Sequence, residues 1–473
     1  MKVSPQNHYL EMDGVDRTDA MDGVDISGPF MRFFRHLGRP VSLARRSPAY
    51  AGRRGAPSPR RSVVAFGCLI LLAGLSLLSP VAQAKTLTVL LLANASTQDV
   101  IQNLIHEYQQ QNPGIDFNVS IVQYPSFVAK LNTLVTGGQP PDIVEVTTAY
   151  IQNYAGQALD LGKYTNAQEL LQRYLPSYRP FIVSGTKVFG VPMEATANGL
   201  FYNKKLFDKA GVQVPKNENE IWTWDQLKEA VLRVMKVPEC RIGIAYDCSV
   251  QRWSNLLYQA GGRWLSADGK SFLPDHPAAE KAINYFHGLV DEKIVPSSSW
   301  PGKTDAGQLF KTGVAAMMWA GNWQLKTLVE GGTSFQFGTT YFPKDAIRAT
   351  CPGGEFLFSF ENSPNKDDAA KFLLWWAKPE TTQHYLESLG GSLLSPMTDL
   401  KVNYGKYAEY LAPMLSDLKI TPDWVAVDLA QPALNRLQND ILNELILGAT
   451  GRQTAQDTIL RIEKLGNGML KGE

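Results

Sequence analysis

Aromatic and small polar side chains are the residues of this chain best suited to ligand chemistry. All ten tryptophans lie beyond residue 84, and the chain also has 18 tyrosines. A flat indole or phenol face packs well on the C–H face of a sugar ring, while Asn, Thr, Gln and Asp side chains hydrogen-bond the surrounding hydroxyls. Leaving a buried hydroxyl partner unpaired costs about 1 to 3 kcal/mol, so such a pocket would discriminate among sugars.

Patterns typical of catalysis are weak in comparison. Gly269-Lys270-Ser271 resembles the end of a phosphate-binding loop, but Trp264 stands where the first glycine must turn the backbone. His106-Glu107 lacks the second histidine of a zinc protease, and no G-x-S-x-G motif occurs. We therefore predict no catalytic residue, no metal site and no cofactor. A pair of glycosidase carboxylates needs only to meet in space, so an exported carbohydrate-active enzyme stays an alternative.

Length and charge narrow the class further. The chain has 473 residues, 44% of them hydrophobic and 19% charged, which is typical of a globular protein with two to four domains. Residues 1–84 hold 11 basic and 6 acidic side chains, which leaves 35 basic and 39 acidic ones beyond residue 84. A slightly acidic body gives no electrostatic basis for binding nucleic acid, and we predict none.

Residues 1–84 read as a leader with a signal peptide. Arg60-Arg61 precedes an apolar run at 63–78, and Ala82-Gln83-Ala84 fits a cleavage site after Ala84. A membrane anchor is the alternative, but the run is shorter than the roughly 20 residues that a spanning helix needs. Residues 1–59 are expected to be unstructured or to precede the true translation start. The export route is predicted to be Sec rather than Tat, with release of a monomer into the periplasm.

Three cysteines lie in the predicted mature chain. Cys240 and Cys248 flank a predicted strand, whose extended length of about 20 Å separates them too far for a disulfide. A bridge from Cys351 to one of them stays open.

The beginning of the mature chain alternates strands and helices. Apolar runs or alternation predict strands at 87–92, 115–121 and 143–146, with helices over 100–108 and 127–135 between them. This order implies a parallel sheet, in which ligands bind beyond the carboxyl ends of the strands. The rule selects Asn94, Ser96, Tyr124, Thr147, Thr148 and Tyr150 as candidate ligand contacts.

The rest of the chain continues the α/β pattern. Further short strands are predicted at 199–202, 242–246, 315–319 and 356–360, separated by longer helices. The last part of the chain, 414–473, is predicted to be mainly helical, with apolar residues from Leu434 to Leu445 along one face.

Several motifs, in order, resemble those of the family 1 extracellular solute-binding proteins of ABC importers, which are relatives of the maltose-binding protein. The motifs run almost from end to end of the mature chain: 131–142 (LNTLVTGGQPPD), 202–211 (YNKKLFDKAG), 310–323 (FKTGVAAMMWAGNW), 363–366 (SPNK), 390–392 (GGS) and 451–454 (GRQT). Each is weak alone, but their order and spacing together are specific.

The resemblance implies a two-lobed periplasmic-binding-protein fold of type II, called a Venus flytrap. Each lobe is an α/β unit, a sheet flanked by helices, and the lobes close around ligand by a hinge. The N-lobe is expected at 85–195 plus 354–412, and the C-lobe at 196–353 plus 413–473.

The resemblance also implies ligand contacts at matching positions. Trp323 in Gly-Asn-Trp matches a stacking tryptophan, and Thr147, Thr148 and Tyr150 match a ligand-contacting turn. Further candidates lie at the hinge, on the C-lobe wall and at a lobe crossing: Glu194, Thr196, Asn198, Gln251, Trp253, Trp300, Glu355 and Trp424. Leu393-Leu394 departs from the family pattern, since many sugar binders have a basic residue in this loop. Trp224, Trp375, Trp376 and Asp142 are expected to be structural.

The function implied by the resemblance is capture of a neutral sugar, oligosaccharide or polyol for an ABC permease with a cytoplasmic ATPase. An anionic ligand such as a glycerol phosphate is the alternative within transport, and it would need Arg or Lys in the cleft. Arg252 is the main basic residue among the candidates. A sensory role, in which the ligand-bound protein is recognised by a receptor, is a further alternative and has the same sequence requirements.

Overall fold

The computed structural model describes residues 84–94 and 97–472, apart from the side chain of Pro125. Residues 1–83 of the predicted leader and Ser96 lie outside the described residues. No helix among those described is long and apolar enough to cross a membrane.

The described chain has twelve strands and seventeen α-helices. The strands β1 to β12 span Lys85–Leu92, Ile115–Val122, Ile143–Thr147, Val183–Ser184, Lys187–Val188, Gly190–Pro192, Thr196–Asn203, Ile242–Tyr246, Ala315–Gly321, Phe337–Thr340, Pro352–Gly353 and Glu355–Phe358. The helices α1 to α17 span Gln98–Gln111, Tyr124–Thr136, Ala167–Gln172, Arg179–Ile182, Lys204–Ala210, Trp224–Val234, Val250–Gln259, His276–Asp291, Ala306–Lys311, Gln324–Glu330, Lys366–Trp376, Pro379–Ser388, Ala408–Ile420, Asp423–Leu429, Pro432–Arg436, Gln438–Ala449 and Ala455–Lys471.

The first sheet has the order β2-β1-β3-β12-β6. Strand β1 is parallel to both β2 and β3, with Val89 opposite Val119 on one side and Ile143 on the other. This arrangement confirms the predicted parallel β-α-β-α-β unit. Strand β12 joins the sheet antiparallel to β3 and β6, although it comes long after both of them in the chain.

The second sheet has the order β10-β7-β9-β8, with β11 pairing β7 at the other end of that strand. Every residue of the central strand β9 is buried, which explains its continuous apolar sequence. Two sheets flanked by helices are the α/β architecture that the sequence predicts.

The chain crosses between the sheets at short segments. Met193–Ala195 joins β6 to β7, and Gly354 alone joins β11 to β12. Gly354 has a φ of +148°, and a Cβ atom there would lie 2.3 Å from the carbonyl oxygen of Glu194. Only glycine fits this crossing, because any side chain would collide with the neighbouring crossing segment.

The boundary predicted at residue 412 falls inside α13, which packs against the second sheet. Thr339 of β10 donates a hydrogen bond to the carbonyl oxygen of Tyr410 (2.7 Å), and the Met414 side chain lies against Gly199 of β7. A helix packs as one rigid unit, so we place the lobe boundary before Ala408 instead. The next helix, α14, contacts the 3₁₀ helix Pro176–Tyr178, which belongs to the predicted N-lobe segment 85–195.

Residues expected to be structural have structural contacts. Trp224 begins α6, is buried, and donates from Nε1 to Oε1 of Gln259 (2.8 Å). Asp142 accepts hydrogen bonds from the backbone and hydroxyl of Thr88. Cys240, Cys248 and Cys351 are all free. Strand β8 separates the first two, as predicted, and the structure forms no bridge to Cys351.

Candidate functional site

A cleft of about 690 Å³ lies between the two sheets. A second cavity of about 270 Å³ adjoins it and shares Tyr124, Thr148, Ala149, Gln251 and Arg252 with it. The cleft is lined by Leu92, Ala93, Asn94, Thr97, Tyr124, Thr147, Thr148, Ala149, Glu194, Thr196, Gln251, Arg252, Asp305, Trp323, Gln324, Lys326, Thr327, Gly353, Gly354, Glu355, Ser392 and Leu393. Nine of the fifteen predicted site residues are in this lining.

The N-lobe wall is built at the carboxyl ends of β1 and β3. Asn94 follows β1, Thr147 is the last residue of β3, Thr148 follows it, and Tyr124 begins α2. The Thr148 backbone N–H donates to the carbonyl oxygen of Gly354 (3.1 Å), which fixes this turn on the lobe crossing. The rule that ligands bind beyond the carboxyl ends of parallel strands therefore selects residues that line the cleft.

The opposite wall comes from the amino-terminal ends of two C-lobe helices. Gln251 and Arg252 lie in the first turn of α7, and Trp323 precedes α10. The guanidinium carbon of Arg252 is 4.2 Å from the centroid of the Trp323 ring, and its Nε donates to Oδ2 of Asp247 (3.1 Å). This wall combines an aromatic ring with a cation that already has a carboxylate partner.

Three glutamates lie at the floor of the cleft, with Glu194 and Glu355 in the lining and Glu145 behind them. Oε1 of Glu194 accepts from the backbone N–H of Glu355 (2.9 Å), and Oε2 accepts from the Tyr385 hydroxyl (3.1 Å). Burial raises the pKa of all three carboxyl groups, and the neighbouring Glu355 raises the pKa of Glu145 and Glu194 further. Among the described residues, no group of His, Cys, Asp or Glu is arranged to hold a metal ion.

For three predicted contacts the structure places the side chains in the interior, outside the lining of the cleft. Trp253 is 2% exposed and packs beside Trp264, and Trp300 is 0% exposed and packs edge-on against Phe286. Asn198 is buried within the second sheet, where its Nδ2 donates to the carbonyl oxygen of Cys351 (3.1 Å).

Two further predicted residues lie outside the lining of both cavities. Trp424 stacks under Arg263, with 4.3 Å between the guanidinium carbon and the ring centroid. Tyr150 is half-buried beside the cleft residue Tyr124, with 6.2 Å between the two ring centroids. The position of each residue relative to the lobe interface was not visible in its local sequence.

The lining also contains residues that the sequence did not select, mainly Asp305, Lys326 and Ser392. Asp305 carries a helix-start signal, because its side chain accepts from the Gln308 backbone N–H and caps α9 (2.8 Å). That signal predicts the helix cap but does not indicate that Asp305 lines the cleft. Lys326 carries no local signal. Ser392 belongs to the family motif at 390–392, but that motif did not mark its side chain as a ligand contact.

Comparison with known proteins identifies the family. A sequence profile described as "Bacterial extracellular solute-binding protein" matches residues 94–383. The chain belongs to this family. The solute-binding protein is 26% identical over 316 residues to a binding protein of Brucella abortus (strain 2308), covering 64% of this chain and 75% of the relative.

Two further comparisons extend the similarity. The solute-binding protein is 24% identical over 305 residues to the maltotriose-binding protein of Pyrococcus abyssi, covering 62% of each chain. Its fold matches the crystal structure of the cyclic alpha-maltosyl-1,6-maltose binding protein of Arthrobacter globiformis. That match has a TM-score of 0.66 and 23% identity, and covers 82% of this chain and 100% of the other.

Proposed function

We propose that this solute-binding protein captures a neutral sugar, oligosaccharide or polyol in the cleft and delivers it to an ABC permease with a cytoplasmic ATPase. The observation that carries the proposal is the composition of the two walls. Trp323 supplies an aromatic face on one side, and Asn94, Thr147, Thr148 and Gln251 supply uncharged hydrogen-bonding groups around it. The maltotriose specificity named for the Pyrococcus relative supports the same ligand class.

The expected mechanism is closure of the lobes around the ligand. The chain passes between the lobes at Met193–Ala195, at Gly354 and before Ala408, so a change in a few backbone angles at these segments is enough to rotate one sheet against the other. Ligand groups that contact both walls bind more strongly in the closed form and shift the equilibrium toward it. Micromolar affinity, about −8.2 kcal/mol, is within reach of one stacked ring and several hydrogen bonds. The permease would then recognise the closed shape.

An anionic ligand is less well supported. Arg252 and Lys326 both line the cleft, but so do Glu194, Asp305 and Glu355. Arg252 also has an ion pair with Asp247. A phosphate in this cleft would meet three carboxylates and two cations, and Arg252 would have to leave Asp247 to bind it.

A glycosidase mechanism also fits the geometry poorly. Glu194 and Glu355, the two glutamates in the lining, are within hydrogen-bonding range of each other. Retaining glycosidases separate their two carboxyl groups by about 5 Å, and inverting ones by more, to leave room for the scissile bond or a water. The close pair supports a binding role without catalysis.

The site of action proposed is the periplasm. The chain would be exported through the Sec route, with the leader removed after Ala84, and released as a monomer. The extracellular family supports export, and the apolar run at 63–78 followed by the A-x-A site supports the route.

Titration calorimetry of the mature protein with maltose, maltotriose, D-mannitol and glycerol 3-phosphate tests the ligand class. We expect micromolar binding of at least one of the first three and none of the phosphate. Chromatography of the recovered ligand should show it unchanged. Binding of glycerol 3-phosphate alone, or a chemically altered ligand, would refute the proposed function.

A further inference from the structure

Glu145 and Glu355 are held side by side by the register of two paired strands. Glu355 on β12 lies opposite Thr147 on β3, and the strands are antiparallel. Residues two apart on a strand share a face, so Glu145 is the diagonal neighbour of Glu355 on the same side of the sheet. Their carboxyl groups are within hydrogen-bonding range of each other.

Each of these carboxyl groups has one oxygen without a donor. Oε2 of Glu145 accepts from the Leu92 backbone N–H (2.9 Å), but its Oε1 is buried and has no partner. Oε2 of Glu355 is buried and unpartnered as well. Two ionised carboxylates are both acceptors and cannot satisfy each other. A single proton between them would supply the missing donor to both.

The pair has no cationic partner among the residues that the structure describes. None of the ion pairs within the part of the chain that the structure describes includes Glu145, Glu194 or Glu355. An uncompensated buried charge is costly, and two adjacent ones are costlier still. Protonation of one carboxylate removes one of these charges and needs no cationic side chain.

We propose that Glu145 carries a proton at neutral pH and donates it in a hydrogen bond to Glu355, which makes Glu145 the positioning residue of the cleft floor. Glu355 is then the ionised member. It accepts from Glu145 behind it and from the Asn94 side chain beside it. Its remaining acceptor capacity faces the cleft that it lines.

The other titratable groups around the pair are consistent with this assignment. Glu194 accepts from the Glu355 backbone N–H and from the Tyr385 hydroxyl, so both of its oxygens already have donors. Burial, followed by the charge of Glu194, raises the pKa of the Tyr385 and Tyr178 hydroxyls, which therefore stay neutral. Burial and the adjacent Glu355 raise the pKa of both Glu145 and Glu194 well above the usual range, so it is the two donors to Glu194 that assign the proton to Glu145.

The role for binding rests on the proposed function. A ligand hydroxyl that donates to Glu355 gains a charge-assisted hydrogen bond, provided that the carboxylate is held in place. Loss of the proton from Glu145 would put two anions in contact and turn Glu355 away from the ligand. Affinity is therefore expected to fall as the pH rises through the titration of Glu145, although Glu145 does not line the cleft.

Glu145→Gln and Glu145→Leu separate this role from simple packing. The glutamine amide can accept from Leu92 through its oxygen and donate to Glu355 through its NH₂ at every pH, whereas leucine has similar bulk and no donor. With the tightest binder among maltose, maltotriose and D-mannitol as probe, we expect Glu145→Gln to bind within threefold of the native protein. Glu145→Leu should bind at least tenfold more weakly. The native affinity should fall toward alkaline pH, and that of Glu145→Gln should not.

Infrared spectroscopy tests the proton directly and needs no ligand. The native protein at pH 7 should show the C=O band of a protonated carboxyl group, and part of this band should be missing in Glu145→Gln. Equal spectra, or glutamine binding as weakly as leucine, would overturn the proposal while leaving the proposed function intact. If none of the three probes binds the native protein, the proposed function fails, and the infrared result still decides the protonation.

Discussion

Arg252 lies against the ring of Trp323, with 4.2 Å between its guanidinium carbon and the ring centroid. The contact joins α7 to the turn before α10, and both residues line the cleft. The Trp323 ring also lies directly against Gly321, since a Cβ atom on that residue would be only 1.6 Å from Cζ3 of the ring. The orientation of the ring therefore depends on the Arg252 guanidinium and on the absence of a side chain at Gly321.

Removal of the Trp323 ring should weaken ligand binding without unfolding the protein. For Trp323→Ala we expect a loss of about 1.5 kcal/mol or more, which is a tenfold or larger rise in Kd. Calorimetry with the tightest sugar or polyol probe measures it. Trp424→Ala is the matched control, because Trp424 lies outside the cleft lining under Arg263. Equal losses in the two variants would remove Trp323 from the site.

Gly321→Ala should weaken binding although Gly321 does not line the cleft. The added methyl group cannot coexist with the present position of the Trp323 ring, so the indole must move. We expect a roughly tenfold rise in Kd, similar to that of Trp323→Ala. Gly156→Ala serves as the control, since a Cβ atom there meets nothing within 4 Å. Native affinity in Gly321→Ala would show that the ring orientation does not matter.

Gly354→Ala should destabilise the crossing between the lobes. The residue adopts a φ of +148°, and its new methyl group would collide with the Glu194 carbonyl oxygen. Strained backbone of this kind costs of order 1 to 3 kcal/mol, to which the collision adds. Urea unfolding should show a lower midpoint than for the Gly156→Ala control. A midpoint equal to that of the native protein would mean that the crossing relaxes freely.

The pH dependence of stability should differ between Glu145→Gln and the native protein. The pKa of Glu145 is raised in the folded state above its ordinary value of 4.5, mainly by burial. The folded protein therefore binds more protons than the unfolded one between these two pKa values, and the native protein loses stability as the pH rises through that range. The glutamine side chain does not titrate, so the variant should not lose stability from this cause.

The expected slope is about 1.4 kcal/mol per pH unit in the difference between the two free energies of unfolding. Urea titrations at pH 4.5, 6 and 8 measure this difference, which should grow in favour of Glu145→Gln. Carboxylates with a lowered pKa, such as Asp368, contribute equally to both proteins and cancel. A constant difference across these pH values would contradict the raised pKa of Glu145.

The sequence determined the fold class and much of one wall of the cleft. Hydrophobic periodicity predicted β1, β2 and β3. The helices that connect these strands imply that the strands are parallel, which puts Asn94, Tyr124 and Thr148 at the carboxyl edge of the sheet, where they lie in the structure. These predictions succeed because hydrophobic alternation and chain connectivity are local properties.

The tertiary structure alone decided which tryptophans face the cleft and which carboxylates meet beneath it. Trp253, Trp300 and Trp323 are all candidates in the sequence, with Trp323 favoured by the family motif, but only the structure shows that the first two are buried in the C-lobe core while the third lines the cleft. Glu145 and Glu355 are distant in the sequence and become neighbours through strand β12, which returns to the first sheet late in the chain. A side chain's exposure and charge partners depend on which elements pack against it, and that information is long-range.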